Sequence, residues 1–274
     1  MSIIKSLSCQ SIIGLCTATT RRTPSRSISP FFVLREHPKW PTAIGSSTPV
    51  ILNSIDDQET ATMNDISNIY YGRLPEDSPY VKPFRFYYTQ NGKEKSWDLL
   101  KVHDSVSVVI FNTTRQKLVL VKQFRPAVYH GLVSEEAGAD GRSIDMKKYP
   151  PSLAVTLELC AGIVDKPIPL AEIAREEVLE ECGYDVPVER LEQIISYRSG
   201  VGTSGALQVM FYVEVTDQDK VEAAGGGVGD EIIEVVELSL AEASKLMEKG
   251  SVLTSPPAFL FGVLWFLTNR APKA

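Results

Sequence analysis

Soft-metal ligands are scarce in this chain. Its 274 residues hold four cysteines (Cys9, Cys16, Cys160 and Cys182) and three scattered histidines (His37, His103 and His130). No two of these form a close pair or a zinc-like spacing, which excludes a structural zinc cluster and points to a reduced compartment. Positive charge is also in short supply: 28 basic residues stand against 34 acidic ones, a formal charge of −6. The chain therefore offers no general electrostatic grip on nucleic acid or anionic lipid, and a phosphate-bearing ligand needs a local cation. Long apolar runs are missing too. The longest, Ala258 to Leu267, is about half of the roughly 20 residues a bilayer-spanning helix requires. The expectation is a soluble protein with neither nucleic acid nor membrane as partner, and the 43% apolar content suffices for an ordinary core.

Residues 1–62 read as an extension. Between Met1 and Arg35 the charged side chains are Lys5, Arg21, Arg22, Arg26 and Arg35, with no acid and many Ser and Thr. That composition suits an unstructured tail, the preferred reading, or a mitochondrial transit peptide; the corresponding locations are cytoplasm and mitochondrion. Met63 can serve as a second start. From there the pattern becomes periodic, with residues 63–100 forming an N-terminal β-hairpin region and 101–274 the main domain. Phe84–Thr89 and Lys95–Leu100 flank the Asn91-Gly92 turn. Further strands are expected at Val106–Phe111, Leu118–Phe124, Leu153–Cys160, Leu191–Tyr197, Leu207–Val215 and Ile232–Leu238, with a long surface loop over Gly131–Pro151. Helices are expected at Pro169–Cys182, Leu240–Lys249 and Pro257–Asn269.

The first of these helices carries too many acids for comfort. It holds Glu172, Glu176, Glu177, Glu180 and Glu181 against a single Arg175. At about 100° per residue, Glu177 and Glu181 fall in the arc of Leu170, Ile173 and Ala174, with Glu180 at its edge; Glu172 and Glu176 point elsewhere. Each like-charge pair at i,i+3 or i,i+4 costs roughly 0.2–0.5 kcal/mol, and an anion in the last turn about 0.3–1 kcal/mol more. A divalent cation held by Glu177, Glu180 and Glu181 turns this repulsion into attraction, and hard oxygen ligands suit Mg²⁺ or Mn²⁺. The other reading is a surface helix rich in Glu because Glu favours helix; the inward facing of the acids favours the metal.

The stretch Gly162-Ile-Val-Asp-Lys-Pro through Arg175-Glu-Glu-Val-Leu-Glu-Glu-Cys-Gly-Tyr184 resembles the Nudix box, with Gly162, Glu177, Glu180, Glu181 and Gly183 in register. Ile168 replaces the pattern's first Glu. Glu176 stands where the pattern has the Arg that orients a metal-binding Glu, and Arg175 comes one residue early. Lys95-Ser-Trp-Asp, Val119 through Tyr129, Glu158-Leu-Cys-Ala-Gly162, Tyr197 through Gly205 and Ile232 through Val236 resemble the uridine diphosphate glucose pyrophosphatase branch of the Nudix hydrolases, sibling to the ADP-ribose pyrophosphatases. The resemblance covers about residues 70 to 270.

That resemblance implies an α/β fold, a mixed-sheet α/β/α sandwich behind an N-terminal β-hairpin region. It implies a homodimer with the N-terminal strands packed or exchanged across the two-fold. It also implies Mg²⁺-dependent hydrolysis of a nucleoside diphosphate sugar, UDP-glucose giving UMP and glucose 1-phosphate. The alternatives are ADP-ribose hydrolysis and, in another class, a catalytically weak nucleotide-sugar sensor, motivated by Ile168 and the displaced Arg175. The implied metal ligands are Glu177, Glu181, Glu180 and the carbonyl of Ala161.

The general base is expected on the loop Gly225–Glu231, with Glu231 preferred and Asp230 the alternative; the loop is equally readable as a flexible connection. No Lys-Ser or Lys-Thr follows its glycines, so it is not a P-loop. Arg125 is expected to fork onto a diphosphate oxygen, with a surface ion pair as the plain alternative. Gly200, Gly202, Thr203 and Ser204 can bring backbone N–H groups to a sugar or phosphate, although ordinary turns share that composition. Glu158 is expected behind the substrate contacts. Trp97 and Tyr87 can stack on a base, but hairpin packing explains them better. His103 and His130 are given no catalytic role.

Overall fold

A computed structural model describes residues 65–133, 143–222, 224–250 and 253–272. The whole expected extension, residues 1–62, and the middle of the expected Gly131–Pro151 loop lie outside the described residues. Strands β1 (Lys82–Gln90) and β2 (Lys93–Lys101) form an antiparallel hairpin. Asn91 and Gly92 both take positive φ at its tip, the conformation a two-residue hairpin turn demands. Next come β3 (Ser105–Asn112), β4 (Lys117–Phe124) and a short helix α1 (Pro126–Leu132). The expected strand Leu153–Cys160 is instead a 3₁₀ turn over Pro151–Ala154, then β5 (Val155–Glu158), then β6 (Cys160–Ile163). Helix α2 (Leu170–Cys182) follows, then β7 (Glu192–Arg198), β8 (Leu207–Val215), β9 (Glu234–Ser239), α3 (Leu240–Leu246) and α4 (Pro257–Asn269).

The split of the expected strand has a geometric cause. β3 and β4 pair antiparallel only over Ile110–Asn112 and Lys117–Val119, then diverge. The fork between them is filled by β5 on β4, with Val121 opposite Glu158, and by β6 on β3, with Ser107 opposite Ala161. At Leu159 the chain crosses from one partner to the other, so a single apolar run serves two ladders. β9 covers the far side of β4. β8 runs parallel to β3, and β7 closes that edge, which makes the sheet mixed.

Alternation along β3 assigns its faces. Val106, Val108 and Ile110 pack with Ile173, Ala174 and Val178 of α2. Val109 and Phe111 pack on the opposite side with Phe259, Val263 and Phe266 of α4. The expected α/β/α sandwich is therefore present, with α2 on one face of the sheet and α3 with α4 on the other. Helix α2 starts after Pro169 and stops at Gly183, whose left-handed φ of 69° directs its N–H back to Leu179 and Val178. Asn112, fully buried, donates to Tyr184 and Asp217 and so ties the turn after α2 to the end of β3.

Candidate active site

Register alone gathers the candidate residues. Gly162 lies opposite Val106, which pairs on its other side with Val209 near the start of β8. The loop before β8 and the end of β6 thus share one end of the sheet. β4 runs antiparallel to β3 and β9 antiparallel to β4, with Glu234 opposite Lys122. Arg125, just beyond β4, and the loop leading into β9 consequently arrive at that same end.

The acids of α2 face this end as their helical phase requires. Glu181 is 5% exposed, and its Oε2 accepts the Ala161 N–H at 2.8 Å. Glu177 rests on Gly162, where a Cβ would lie 1.8 Å from its Oε1, so only glycine leaves room for this carboxylate. Burial, with the nearby charge of Glu180 and then Glu231, pushes Glu177 up to about 7. Burial likewise pushes Glu181 up to about 7, against the Ala161 N–H that stabilises its charged form. Glu180 is partly buried beside them. The outward acids are paired: Glu172 with Arg175, and Glu176 with Lys166.

The glycine loop is tied down. Gly226 and Gly227 donate their N–H groups to the carbonyls of Glu181 and Glu180 at 2.9 and 3.1 Å, and Lys220 Nζ reaches the Cys182 carbonyl at 2.7 Å. These bonds satisfy the free carbonyls at the end of α2 and hold Glu231 near enough for its charge to act on Glu177, Glu181 and Arg125. Glu231 itself is exposed, with the Val228 N–H at 3.4 Å, and Asp230 beside it is exposed.

Arg125 does not extend toward open space. Its Nε and Nη2 close on the two oxygens of Glu158 at 2.7 and 2.6 Å, and Glu158, 5% exposed, also accepts the Thr156 hydroxyl. The guanidinium thus makes a charge-assisted bidentate pair with a buried carboxylate, the ion-pair alternative. Its Nη1 makes no hydrogen bond among the described residues. Gly200 and Ser204 close a turn, Gly202 accepts the Trp97 indole N–H at 2.8 Å, and the Thr203 carbonyl accepts the Leu100 N–H at 2.8 Å. This loop is braced by the hairpin, and Trp97, with Phe86, Tyr88, Leu99 and Val201, lines a shallow groove there. Tyr87 is exposed on the hairpin, and His130 bonds Tyr71 at 3.0 Å.

Sequence reasoning missed three features. Lys166, on the short loop before α2, approaches Glu176 at 2.6 Å and lies close enough to act on Glu177; a lone base in an acidic stretch was its signal. Arg175 reaches Asp185 and Glu172 at 3.2 and 3.3 Å and so turns away from Glu177. Cys160 and Cys182, far apart in sequence, are both free, buried and members of one core cluster, with the Cys160 thiol beside Glu181.

Among the described residues, no three His, Cys, Asp or Glu side chains are drawn tightly enough together to hold a metal ion as they stand. The donor chemistry nevertheless fits a hard divalent cation. Glu177, half-buried, has neither hydrogen bond nor ion pair among the described residues, and it shares its end of the helix with Glu180 and Glu181.

No family model matches the chain. It is 43% identical over 220 residues to the uridine diphosphate glucose pyrophosphatase of Bos taurus, covering 77% of this chain and 98% of the relative. The protein of the same name from Mus musculus is 40% identical over the same shares. The GDP-mannose pyrophosphatase of Citrobacter koseri is 31% identical over 59% of this chain and 73% of its own length.

Proposed function

Because the chain belongs to the uridine diphosphate glucose pyrophosphatase branch of the Nudix hydrolases, we propose that it hydrolyses the diphosphate bond of UDP-sugars, UDP-glucose giving UMP and glucose 1-phosphate. Water adds to one phosphorus, the bridging P–O bond breaks, and the departing oxygen carries the second phosphate. The single observation that carries the assignment of the site is Glu177 seated on Gly162 beside Glu181, a half-buried and a buried acid with an ion pair to neither among the described residues.

Hydrolases of this family use a divalent cation, and we take it here to be Mg²⁺, with Mn²⁺ able to substitute. Glu177, Glu181, Glu180 and the carbonyl of Ala161 are the residues to hold it. When bound it supplies charge neutralisation on the diphosphate and a more acidic attacking water. The chain's own groups do the rest. Gly162 leaves space for Glu177, and the Ala161 N–H fixes the orientation of Glu181. Glu231, tethered by the glycine loop, takes the proton of the attacking water, with Asp230 as its neighbour in reserve. Arg125, held by Glu158, offers Nη1 to a phosphate oxygen, and the braced loop with Gly200, Gly202, Thr203 and Ser204 borders the sugar side.

The active unit is read as a homodimer. A two-stranded hairpin is marginal alone, and β1–β2 exposes Phe84, Phe86, Tyr87 and Trp97, apolar surface that a second copy can cover.

The test is incubation with UDP-glucose, ADP-ribose and GDP-mannose, each with and without Mg²⁺, reading nucleoside monophosphate release. UMP from UDP-glucose with Mg²⁺ and none after chelation is the expected result. No product from any substrate at high enzyme concentration overturns the proposal and leaves the binding-sensor reading.

A further inference from the structure

We propose that Lys166 is a substrate contact: on binding, its ammonium leaves Glu176 and holds an oxygen of the nucleotide sugar's diphosphate. The inference rests on the reading of this site as a diphosphatase.

The need for such a group follows from the charges at this end of the sheet. Glu177, Glu180, Glu181 and Glu231 act on one another or on common neighbours, and a diphosphate brings further negative charge to them. Arg125 and Lys166 are cations whose charge reaches this cluster. Arg125 has only Nη1 to offer a phosphate oxygen, since its Nε and Nη2 both close on Glu158. Releasing them would strand a buried carboxylate without a partner, which is strongly unfavourable. Arg175 is turned to Asp185 and Glu172.

Lys166 differs from both. Its side chain is 50% exposed, and its partner Glu176 is 32% exposed. Exposed pairs of this kind are worth little and exchange readily. The ammonium has three donors on a flexible four-carbon stem, and Glu176 occupies one of them at 2.6 Å. It also feels the charge of Glu180, one of the acids to which the diphosphate must come. Glu176 then serves as a parking partner that keeps the ammonium at the rim.

The full chain tests this with Lys166→Ala, Lys166→Arg and Glu176→Gln. For each, KM and kcat for UDP-glucose with Mg²⁺ are measured, together with calorimetric affinities for UDP in Mg²⁺ and for Mn²⁺ alone, and the melting temperature. Lys166→Ala should raise KM and weaken UDP binding by about tenfold, the scale of one lost charged contact, without weakening Mn²⁺ binding. Lys166→Arg should restore both to within about threefold, and Glu176→Gln should bind UDP at least as tightly as the parent chain. Wild-type KM and UDP affinity in Lys166→Ala overturn the inference. So does a loss in Glu176→Gln equal to that in Lys166→Ala, which marks the pair as a brace. A parent chain that binds UDP but releases no UMP sinks the diphosphatase reading instead, and the UDP affinities still judge Lys166.

Discussion

Glu158 and Glu181 are each 5% exposed, and they flank the same crossing at Leu159, yet the protein treats them in opposite ways. On the β4–β5 side, Glu158 receives Nε and Nη2 of Arg125 and the Thr156 hydroxyl. On the β6–α2 side, Glu181 receives one backbone N–H, has the Cys160 thiol beside it, and faces the charges of Glu177 and Glu231. A buried carboxylate with a full set of partners is architecture. One without them is a site whose missing partner comes from outside, since sequences shaped only for stability do not leave such groups.

The largest expected effect comes from removing the charge on the unsatisfied side. Glu181→Gln keeps the acceptor for the Ala161 N–H while losing the ligand. UMP release should fall by about 10²-fold or more, since even outer-shell changes at metal sites cost 10–100-fold. Stability should move the other way. Glu177 and Glu181 both rise from an ordinary 4.5 to about 7, so the folded chain holds these protons more tightly than the unfolded one. Their contribution is complete below about 4.5 and is lost as pH climbs through about 7. Chelated wild-type protein should therefore melt at progressively lower temperature between pH 5 and 8, and Glu181→Gln should flatten part of that slope. A melting temperature independent of pH in chelator, with activity intact in the variant, would erase the contrast between the two acids.

The satisfied side should respond more weakly in turnover and more strongly in folding. Arg125→Ala leaves Glu158 buried without its counter-charge. The cost should be about 2–4 kcal/mol, below the fully buried case because the Arg125 side chain is 42% exposed. Adding Glu158→Gln should recover most of the stability, because a neutral amide tolerates burial better than a lone anion. Activity should recover only to the extent that Nη1 was dispensable. Urea denaturation of the single and double variants measures the first point, and kcat/KM the second. Equal losses in both variants would mean that the pair is not the stabilising unit described here.

Much of the contrast was legible in the amino-acid sequence because it depends on local periodicity. The phase of Glu177 and Glu181 on α2, the stop at Gly183 and the hairpin at Asn91-Gly92 all follow from spacing over a few residues. The rest depends on contacts between distant segments. Nothing local says that Leu153–Cys160 must turn through Pro151–Ala154 and then change partner at Leu159, since that is dictated by where β3 and β4 part. The short helix α1 hid for another reason: its 7 residues are too few to show a helical period, although proline in a first helical turn is natural. The partner of Arg125 lay 33 residues away, and the proximity of Cys160 to Cys182 depended on β6 meeting the end of α2. Glu176 stands at the arginine position of the Nudix pattern and Arg175 one step before it, and only the positions of Lys166 and Asp185 say what that step does.

That last point yields the smallest effect and the finest probe. If the arginine of the box acted here through Arg175, Arg175→Ala would lower turnover as sharply as losing a ligand's positioning partner. The structure instead spends Arg175 on Asp185 and Glu172, at 3.2 and 3.3 Å, with its side chain 32% exposed. Exposed pairs of this kind contribute about 0–1 kcal/mol. Arg175→Ala should therefore shift the denaturation midpoint only slightly and leave kcat for UDP-glucose within about twofold, since no contact with Glu177 is lost. A tenfold fall in kcat at unchanged stability would place Arg175 over Glu177 during turnover and return the acid helix to the ordinary Nudix arrangement. Near-parent activity would instead make this chain's separation of helix bracing from charge supply a real departure, with Arg175 holding the turn at Asp185 while cations from the neighbouring strand end and loop serve the acids.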